Sequence, residues 1–193
     1  MKKKLLALIL CIAAVAMVGC GKKESEGDVQ ETVDVAVADA TELLTTVWGT
    51  YEEADMFPIA GGDYENSVMD APAKFDVSKV EDLDAILGLP QDSASLIDDA
   101  ASVMHMMNAN TFTCGAYHVA DAANTQTLAD SLKENIMNRQ WMCGFPDTLI
   151  IVTVGDDYVV SAFGNAEIIE TFKTKLQDSY DVAEVLYEES LVE

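Results

Sequence analysis

Two short segments carry the side chains best suited to hold a ligand. Residues 104–107 are Met-His-Met-Met, and residues 141–143 are Trp-Met-Cys. Thioether and imidazole groups are ligands that suit Cu(I). Methionine also fills irregular spaces in cores, and alternate residues of a strand point to opposite faces. We therefore predict no metal site. Copper binding is the alternative function, with His105, Met104 and Met106 as its candidate ligands.

Two of the four cysteines are expected in the folded domain. Cys11 lies in a segment that we expect to be removed, and Cys20 is the expected site of lipid attachment. Cys114 and Cys143 form an even pair in an exported chain, which makes them a candidate disulfide. Two buried free thiols explain the pair as well. A reactive or metal-bound thiol is the third alternative, although no basic neighbour is evident that would lower a thiol pKa.

The histidines and the paired acids form no recognisable catalytic motif. His118 would lie about 13 Å from Cys114 along a strand, too far to share a ligand, and is expected to be a solvated or core histidine. The acidic pairs at 98–99 and 156–157 lack the spacing of an EF-hand calcium loop, and turn formation explains them. No Gly-x-Ser-x-Gly elbow is present. We predict no enzymatic activity and no cofactor.

The N-terminal residues follow the order of a secretory signal. Lysines at positions 2–4 precede an unbroken apolar run over 5–18, which is followed by Gly19 and Cys20. The run is shorter than the roughly 20 apolar residues that a membrane-spanning helix needs. Residues 17–20, Met-Val-Gly-Cys, resemble the lipobox of bacterial lipoproteins. In that motif the cysteine is thioether-linked to diacylglycerol and becomes the first residue of the mature chain.

These features predict three parts of the chain. Residues 1–19 are the predicted signal peptide. Residues 20–38 are predicted to be the lipidated Cys20 and a flexible acidic tether, since high charge and low hydrophobicity do not favour order. Residues 39–193 are predicted to form a single globular domain. The predicted membrane partner is the bilayer, contacted through the acyl chains on Cys20 at the extracytoplasmic face of the cell membrane.

The charge of the chain limits the classes of molecule that it can bind. It carries 34 acidic and 11 basic side chains, a formal net charge of −23. Removal of residues 1–19 takes away three basic side chains and no acidic one, so that the charge becomes −26. Such a surface repels phosphate backbones and anionic head groups. We predict no nucleic-acid partner and interpret the charge as that of a soluble surface. Capture of a cation or of a basic partner is the alternative interpretation.

Hydrophobic periodicity predicts an α+β fold. Helices are predicted over 39–53, 78–88, 124–138 and 165–176, with capping boxes that begin at Asp39 and Ser78. Strands are predicted over 112–119, 148–154, 158–163 and 182–187, because these segments are rich in β-branched or alternating apolar residues. The segment 56–75 is predicted to be an extended loop. The segment 96–107 suits either a helix or a strand.

The order of these elements predicts their arrangement. From residue 111 the order is strand, helix, strand, strand, helix, strand, which is that of a ferredoxin-like βαββαβ motif. If 102–107 is also a strand, tandem ββα units are the alternative. Both arrangements place N-terminal helices before an antiparallel sheet that has helices on one face.

A resemblance supports the predicted location. The lipobox, the acidic tether and residues 112–176, which include Asp-Tyr-Val-Val-Ser-Ala-Phe-Gly at 157–164, resemble a family of uncharacterised small bacterial lipoproteins with a C-terminal domain of unknown function. The resemblance implies a location and a fold, and no site residue other than Cys20. We predict a lipid-anchored extracytoplasmic protein that acts as a non-enzymatic binding or accessory module of the cell envelope. Its expected partner is an unknown envelope protein or ligand.

The lipobox interpretation predicts the effect of one substitution. Cys20→Ser should move the chain from the membrane fraction to the soluble fraction, because two or more acyl chains are what anchor it stably. Intact-mass analysis of the unaltered chain should show a diacylglyceryl group on Cys20. Cys11→Ser is the matched control and should stay in the membrane fraction. An unmodified residue at position 20 would contradict the prediction.

Overall fold

An eight-stranded antiparallel sheet forms the centre of the chain in this computed structural model, which describes residues 37–142 and 144–192. The strands are β1 (Ile59–Gly61), β2 (Val68–Met69), β3 (Ala73–Lys74), β4 (Ile97–His105), β5 (Phe112–Val119), β6 (Thr148–Val154), β7 (Tyr158–Gly164) and β8 (Ala183–Ser190). Their order is β2-β1-β4-β5-β7-β6-β8, and β3 also pairs with β4. The predicted α+β class is confirmed.

Helices cover this sheet in the described ranges. They are α1 (Ala40–Trp48), α2 (Val80–Asp82), α3 (Thr125–Met137) and α4 (Ala166–Ser179). A π-helix over Leu83–Leu87 continues α2, and Gly88 ends it in the left-handed conformation. Among the described residues, no helix has both the length and the apolar character needed to cross a bilayer.

The start of α1 confirms the cap that the sequence predicts at Asp39. The Asp39 carboxylate accepts a hydrogen bond from the backbone N–H of Glu42, and Asn165 caps α4 in the same way. The first helix ends at Trp48, earlier than predicted. The predicted cap at Ser78 is wrong, because its backbone N–H and its hydroxyl both donate to the Asp76 carboxylate and the helix begins later.

The long strands lie where the sequence predicts them. The segments 112–119 and 148–154 are β5 and β6, and the ambiguous segment 96–107 contains β4. The predicted loop 56–75 is not wholly irregular. It contributes β1, β2 and β3, and two of these pair with β4. They cover an edge of β4 that would otherwise expose unpaired backbone groups.

Helices lie on both faces of the sheet, so the prediction of helices on one face is wrong. One core contains α1, α4 and the even-numbered residues of β5, such as Cys114 and Ala116. The second core contains α3, the π-helix and odd-numbered residues such as Tyr117 and Val119. Every residue of β7 is buried. Because both faces are covered, the central strands are mostly apolar on each side, with Ser161 a buried polar exception in β7.

The direction of the two crossovers explains this arrangement. The chain leaves β5, forms α3 and enters β6 on the far side of β7; it then leaves β7, forms α4 and enters β8 on the far side of β6. Both connections travel the same way across the sheet, but β5 and β7 are antiparallel. Right-handed crossovers from antiparallel strands in one direction must place their helices on opposite faces.

The position of β8 separates this sheet from the predicted motifs. In a ferredoxin-like motif the last strand returns to pair with the first, which here would be β5. That edge is occupied by β4, and β8 pairs with β6 instead. The element order is that of two successive hairpin-plus-helix segments, yet their helices lie on opposite faces. Neither of the predicted finer arrangements is confirmed.

The centre of β5 depends on a glycine. A Cβ atom at Gly115 would overlap the phenol ring and hydroxyl of Tyr117, two residues further along the same face. The Tyr117 ring is fully buried in the α3-side core. The ring therefore occupies the space above Gly115, and a larger residue at 115 would force it out of its packed position.

Gly115→Ala should lower the free energy of unfolding by about 1–3 kcal/mol, the usual cost of overpacking a core. Chemical denaturation would measure this loss. In a Tyr117→Val background the same change should cost about 1 kcal/mol less, because residues in contact are energetically coupled. Additive effects of the two substitutions would show that the ring does not restrict position 115.

Candidate functional site

A groove of 430 Å³ lies on the α3 side of the sheet, close to the turn that joins β4 to β5. Its floor is a row of side chains on three neighbouring strands. Met104 of β4 is opposite Thr113 of β5, and Thr113 is opposite Phe163 of β7. Residues opposite one another in a sheet project from the same face, so the register of the sheet brings these three together.

The walls of the groove come from segments outside the sheet. Trp141 follows α3 and packs against Phe163, with ring centroids 5.1 Å apart and an interplanar angle of 56°. The π-helix supplies Ala85 and Ile86 on another side. Asn110 of the β4–β5 turn donates its side-chain amide to the carbonyl oxygens of Met142 (3.2 Å) and Gly144 (3.0 Å). This contact holds the segment after Trp141 beside the turn.

A buried carboxylate supports the β1–β2 turn that carries Tyr64, another residue of the groove. Asp63 is 2% exposed and accepts hydrogen bonds from Lys79, Asn66 and the backbone N–H of Glu65. Burial alone would raise the pKa of Asp63, but the hydrogen bonds from Lys79 and Asn66 hold it well below its usual range. The turn is thus fixed by an ionised aspartate, which positions Tyr64 at the groove.

Arg139 is the arginine of the groove and the only arginine of the chain. Its guanidinium donates to the carbonyl oxygen of Ala85 and lies over the Trp141 ring, 5.3 Å from the ring centroid. Every lysine in the described ranges lies within 4.0 Å of a carboxylate: Lys74, Lys79, Lys133, Lys173 and Lys175. Over the same ranges, Arg139 has no carboxylate that close.

The groove also differs in charge from the rest of the surface. None of the residues that line it is acidic. Four other concavities on the described surface each include two or more carboxylates. A concave site without acids is therefore a local exception on a chain in which acids outnumber bases 34 to 11.

Large apolar side chains are exposed on the segments that border the groove. Tyr64 is 72% exposed, Met107 75%, Met142 81% and Phe145 66%. Single exposed apolar residues need no explanation, but a group of them around one concavity is typical of a surface that binds another molecule. Methionine and aromatic residues are also the types favoured at such surfaces.

The structure brings together part of the sequence-predicted ligand cluster. Met104, Trp141 and Met142 all line the groove. His105 does not, because it projects from the opposite face and stacks on Phe57, with ring centroids 5.4 Å apart. Its Nδ1 atom accepts the backbone N–H groups of residues 107 and 108 at 3.2 and 3.3 Å. Alternation along β4 separates Met104 from His105.

This separation bears on the copper hypothesis. The candidate ligands Met104 and His105 do not share a face, and Met106 is an exposed residue beyond the end of β4. Within residues 37–142 and 144–192, no group of three or more His, Cys, Asp or Glu side chains is placed to hold a metal ion. Copper binding stays a hypothesis that these positions do not favour.

The candidate disulfide joins Cys114 to a residue outside the described ranges, Cys143, and stays a prediction. Cys114 is fully buried in the core formed by α1 and α4, and no disulfide joins it to another cysteine of the described residues. Burial raises the pKa of this thiol well above its usual value, so the reactive thiolate form is disfavoured. Trp141, two residues before Cys143, packs against the core on the other face of the sheet, which contains α3. The lipidation site Cys20 also lies outside the described residues.

A second polar cluster surrounds His118 at the far end of β4 and β5. The ring Nδ1 lies 2.5 Å from the Asp98 carboxylate, and Nε2 lies 3.3 Å from the Asp157 carboxylate. Both acids belong to the pairs that the sequence predicts to be turn residues. The neighbouring Asp99 accepts the backbone N–H of Ala40 and pairs with Lys74 at 2.9 Å. The histidine is thus partly exposed and held between two acids.

The environment of His118 favours its charged form. Partial burial alone would lower the pKa of His118, but the hydrogen bond to Asp98 and the charges of Asp98 and Asp157 raise it above its ordinary value. Asp39, Lys74 and Tyr158 line the same concavity. Among the described residues that line it, there is no serine, threonine or cysteine that the imidazole could activate as a nucleophile.

Several residues of the groove are not predictable as site residues from the sequence. Arg139, Asn110, Tyr64 and Phe163 come from four different elements and share no motif. One signal was present, because the only arginine of an acidic chain stands two residues before Trp141. The other three are recognisable only once the strands are aligned.

No protein-family model matches this chain, and the searches of curated proteins and of solved structures found no significant match. The groove is therefore interpreted from its own geometry and chemistry.

The position of His118 predicts how stability depends on pH. Because its folded-state pKa lies above the unfolded value of about 6.5, its stabilising effect is fully present below that value and is lost as the pH rises through the folded-state pKa. Denaturant unfolding between about pH 6 and pH 9 should show this loss, and His118→Gln should flatten it. A flat profile in the unaltered protein would contradict the prediction.

Proposed function

We propose that this chain is a lipid-anchored extracytoplasmic protein that acts as a non-enzymatic binding module of the cell envelope, with the groove around Trp141 as its binding site. The observation that carries the proposal is an acid-free concavity, lined by Met104, Trp141 and Phe163, on a strongly acidic chain. Sites of this volume lined by apolar and aromatic side chains with a few polar groups are typical of ligand binding.

The polar groups of the groove are suited to bind a ligand through hydrogen bonds. They are the side-chain amides of Asn110 and Gln140, the hydroxyl group of Tyr64 and the guanidinium of Arg139. Amides and hydroxyls donate and accept hydrogen bonds. General acid–base catalysis would instead need a group that titrates near neutral pH, such as histidine or a perturbed carboxylate. This set supports binding over catalysis.

The position of the groove agrees with a tethered module. The described chain begins at Val37, beside the His118 cluster and near the start of β4. The groove lies near the end of β4. Its residue Met104 is six residues after Asp98 of the His118 cluster, which is about 20 Å at strand rise. A lipid on Cys20 would attach through the segment before Val37, at the opposite end of β4 from the groove.

The resemblance to small bacterial lipoproteins contributes the location to this proposal, together with the lipobox at Cys20. It does not contribute a ligand. Anchoring at the extracytoplasmic face would hold the groove close to envelope proteins and to molecules that reach the membrane surface. An accessory role beside an unknown envelope partner is consistent with that position.

Site-specific photocrosslinking in cells tests the proposal. The photoreactive amino acid benzoylphenylalanine would replace Met142 at the groove, and Gln177, an exposed residue of α4 on the other face of the sheet, in a control. The expected result is a discrete adduct from position 142, several-fold stronger than from position 177. Trp141→Ala in the same chain should reduce that adduct. No adduct at 142, or the same adduct at both positions, would contradict the proposal.

A further inference from the structure

We propose that the groove recognises the C-terminal residue of a peptide: its free carboxylate pairs with Arg139, and its apolar side chain enters the groove over Met104 and Phe163. This inference rests on the proposed function, because it names the ligand of the same groove. It is carried by a cation that lacks an ion-pair partner in the part of the chain that the structure describes.

The charge distribution argues for an anionic ligand group. Each described lysine pairs with a carboxylate, as expected where acids outnumber bases about threefold. Arg139, in the described ranges, has no such partner and lies in a groove without acids. An arginine that no carboxylate of the described ranges neutralises is available to pair with a ligand. The ligand group that binds beside Arg139 is therefore negatively charged.

The geometry of Arg139 favours a carboxylate in particular. The guanidinium is planar and carries five N–H donors in a fixed fork, which matches the two oxygens of a carboxylate. Its bond to the carbonyl oxygen of Ala85 and its position over the Trp141 ring hold it in place. A guanidinium that is already oriented loses less conformational entropy when it binds.

The remaining lining argues for an apolar group next to the carboxylate. Met104 and Phe163 flank Thr113 on the floor, and the Thr113 hydroxyl is already bonded to the Ala109 carbonyl oxygen. Trp141 and Ile86 form walls. The methionine side chain adapts its shape to different apolar partners. A polar or charged side chain placed here would lose its hydration without sufficient compensation.

The exposed surface around the groove argues for a peptide over a small free acid. Tyr64, Met107 and Phe145 would stay exposed if one amino acid alone filled the groove. A chain that extends outward from the groove can cover them. The Asn110 amide nitrogen already donates to Met142 and Gly144, but its oxygen can accept a main-chain N–H of such a chain. The Gln140 amide can both donate and accept.

The net charge of the protein limits the charge that the rest of the peptide can carry. A chain with a net charge of −23 repels acidic partners at long range. The carboxylate that Arg139 binds should therefore end a segment that is neutral or basic. Electrostatic steering would then favour association with the acidic surface around the groove.

Titration calorimetry of the full chain in detergent tests the inference with defined probes. The first probe is a pentapeptide of glycine and serine that ends in phenylalanine with a free carboxylate, and the second is the same peptide with a C-terminal amide. N-Acetylphenylalanine represents a free acid without a peptide. The acid peptide should bind about tenfold or more tightly than the amide, the usual effect of a charge-assisted pair. It should also bind more tightly than N-acetylphenylalanine.

Arg139→Gln should abolish the difference between acid and amide peptides, whereas Lys133→Gln should preserve it. Lys133 is a basic residue of α3 that pairs with Glu189 away from the groove. Equal binding of acid and amide that Trp141→Ala weakens would overturn the inference and leave the proposed function standing. Absence of binding by both peptides would also overturn it, since photocrosslinking at position 142 tests the proposed function independently. Equal binding of N-acetylphenylalanine and the acid peptide would overturn the choice of a peptide.

Discussion

The pairing of β5 with β7 is the constraint on which the rest of this protein depends. Seven residues of each strand are in register, from Phe112 opposite Gly164 to His118 opposite Tyr158. Nearly all of them are buried, so the pair needs apolar cover on both faces. The sequence that follows each strand supplies that cover, one helix to each face. A sheet buried on both faces in this way is usual for parallel sheets and less common for antiparallel ones.

The two ends of this strand pair have opposite chemistry. At the end of β5, His118 lies between Asp98 and Asp157, and the described chain begins beside it. At the start of β5, Thr113 lies in a groove without acids. The first end is a charged network that also binds the start of α1, through the Asp99 carboxylate and the backbone N–H of Ala40. The second end is the part of the surface where cover by α3 stops and apolar side chains are exposed, which is why we place binding there.

Parts of both the fold and the groove were predictable. The strands 112–119 and 148–154 follow from local runs of apolar and β-branched residues, and the cap at Asp39 follows from the residue three positions later. Met104 and Trp141 were identified by residue type as candidates for ligand contact. Their common location was not predictable, because it depends on the register of β4, β5 and β7. The position of His105 was not predictable for the same reason. It follows Met104 in β4 and therefore projects from the opposite face of the sheet.

The sequence by itself determined the lipobox hypothesis, the acidic charge, the α+β class and the position of most strands, because each depends on residues close together in the chain. Only the tertiary structure decided that α3 and α4 lie on opposite faces, and that Arg139 lies over Trp141 with no carboxylate of residues 37–142 and 144–192 paired to it. Those features depend on which edge of the sheet β8 joins and on how segments distant in sequence pack. The pairing of β8 depends on the whole chain, because β4 pairs with the edge of β5 that β8 would occupy in a ferredoxin-like motif.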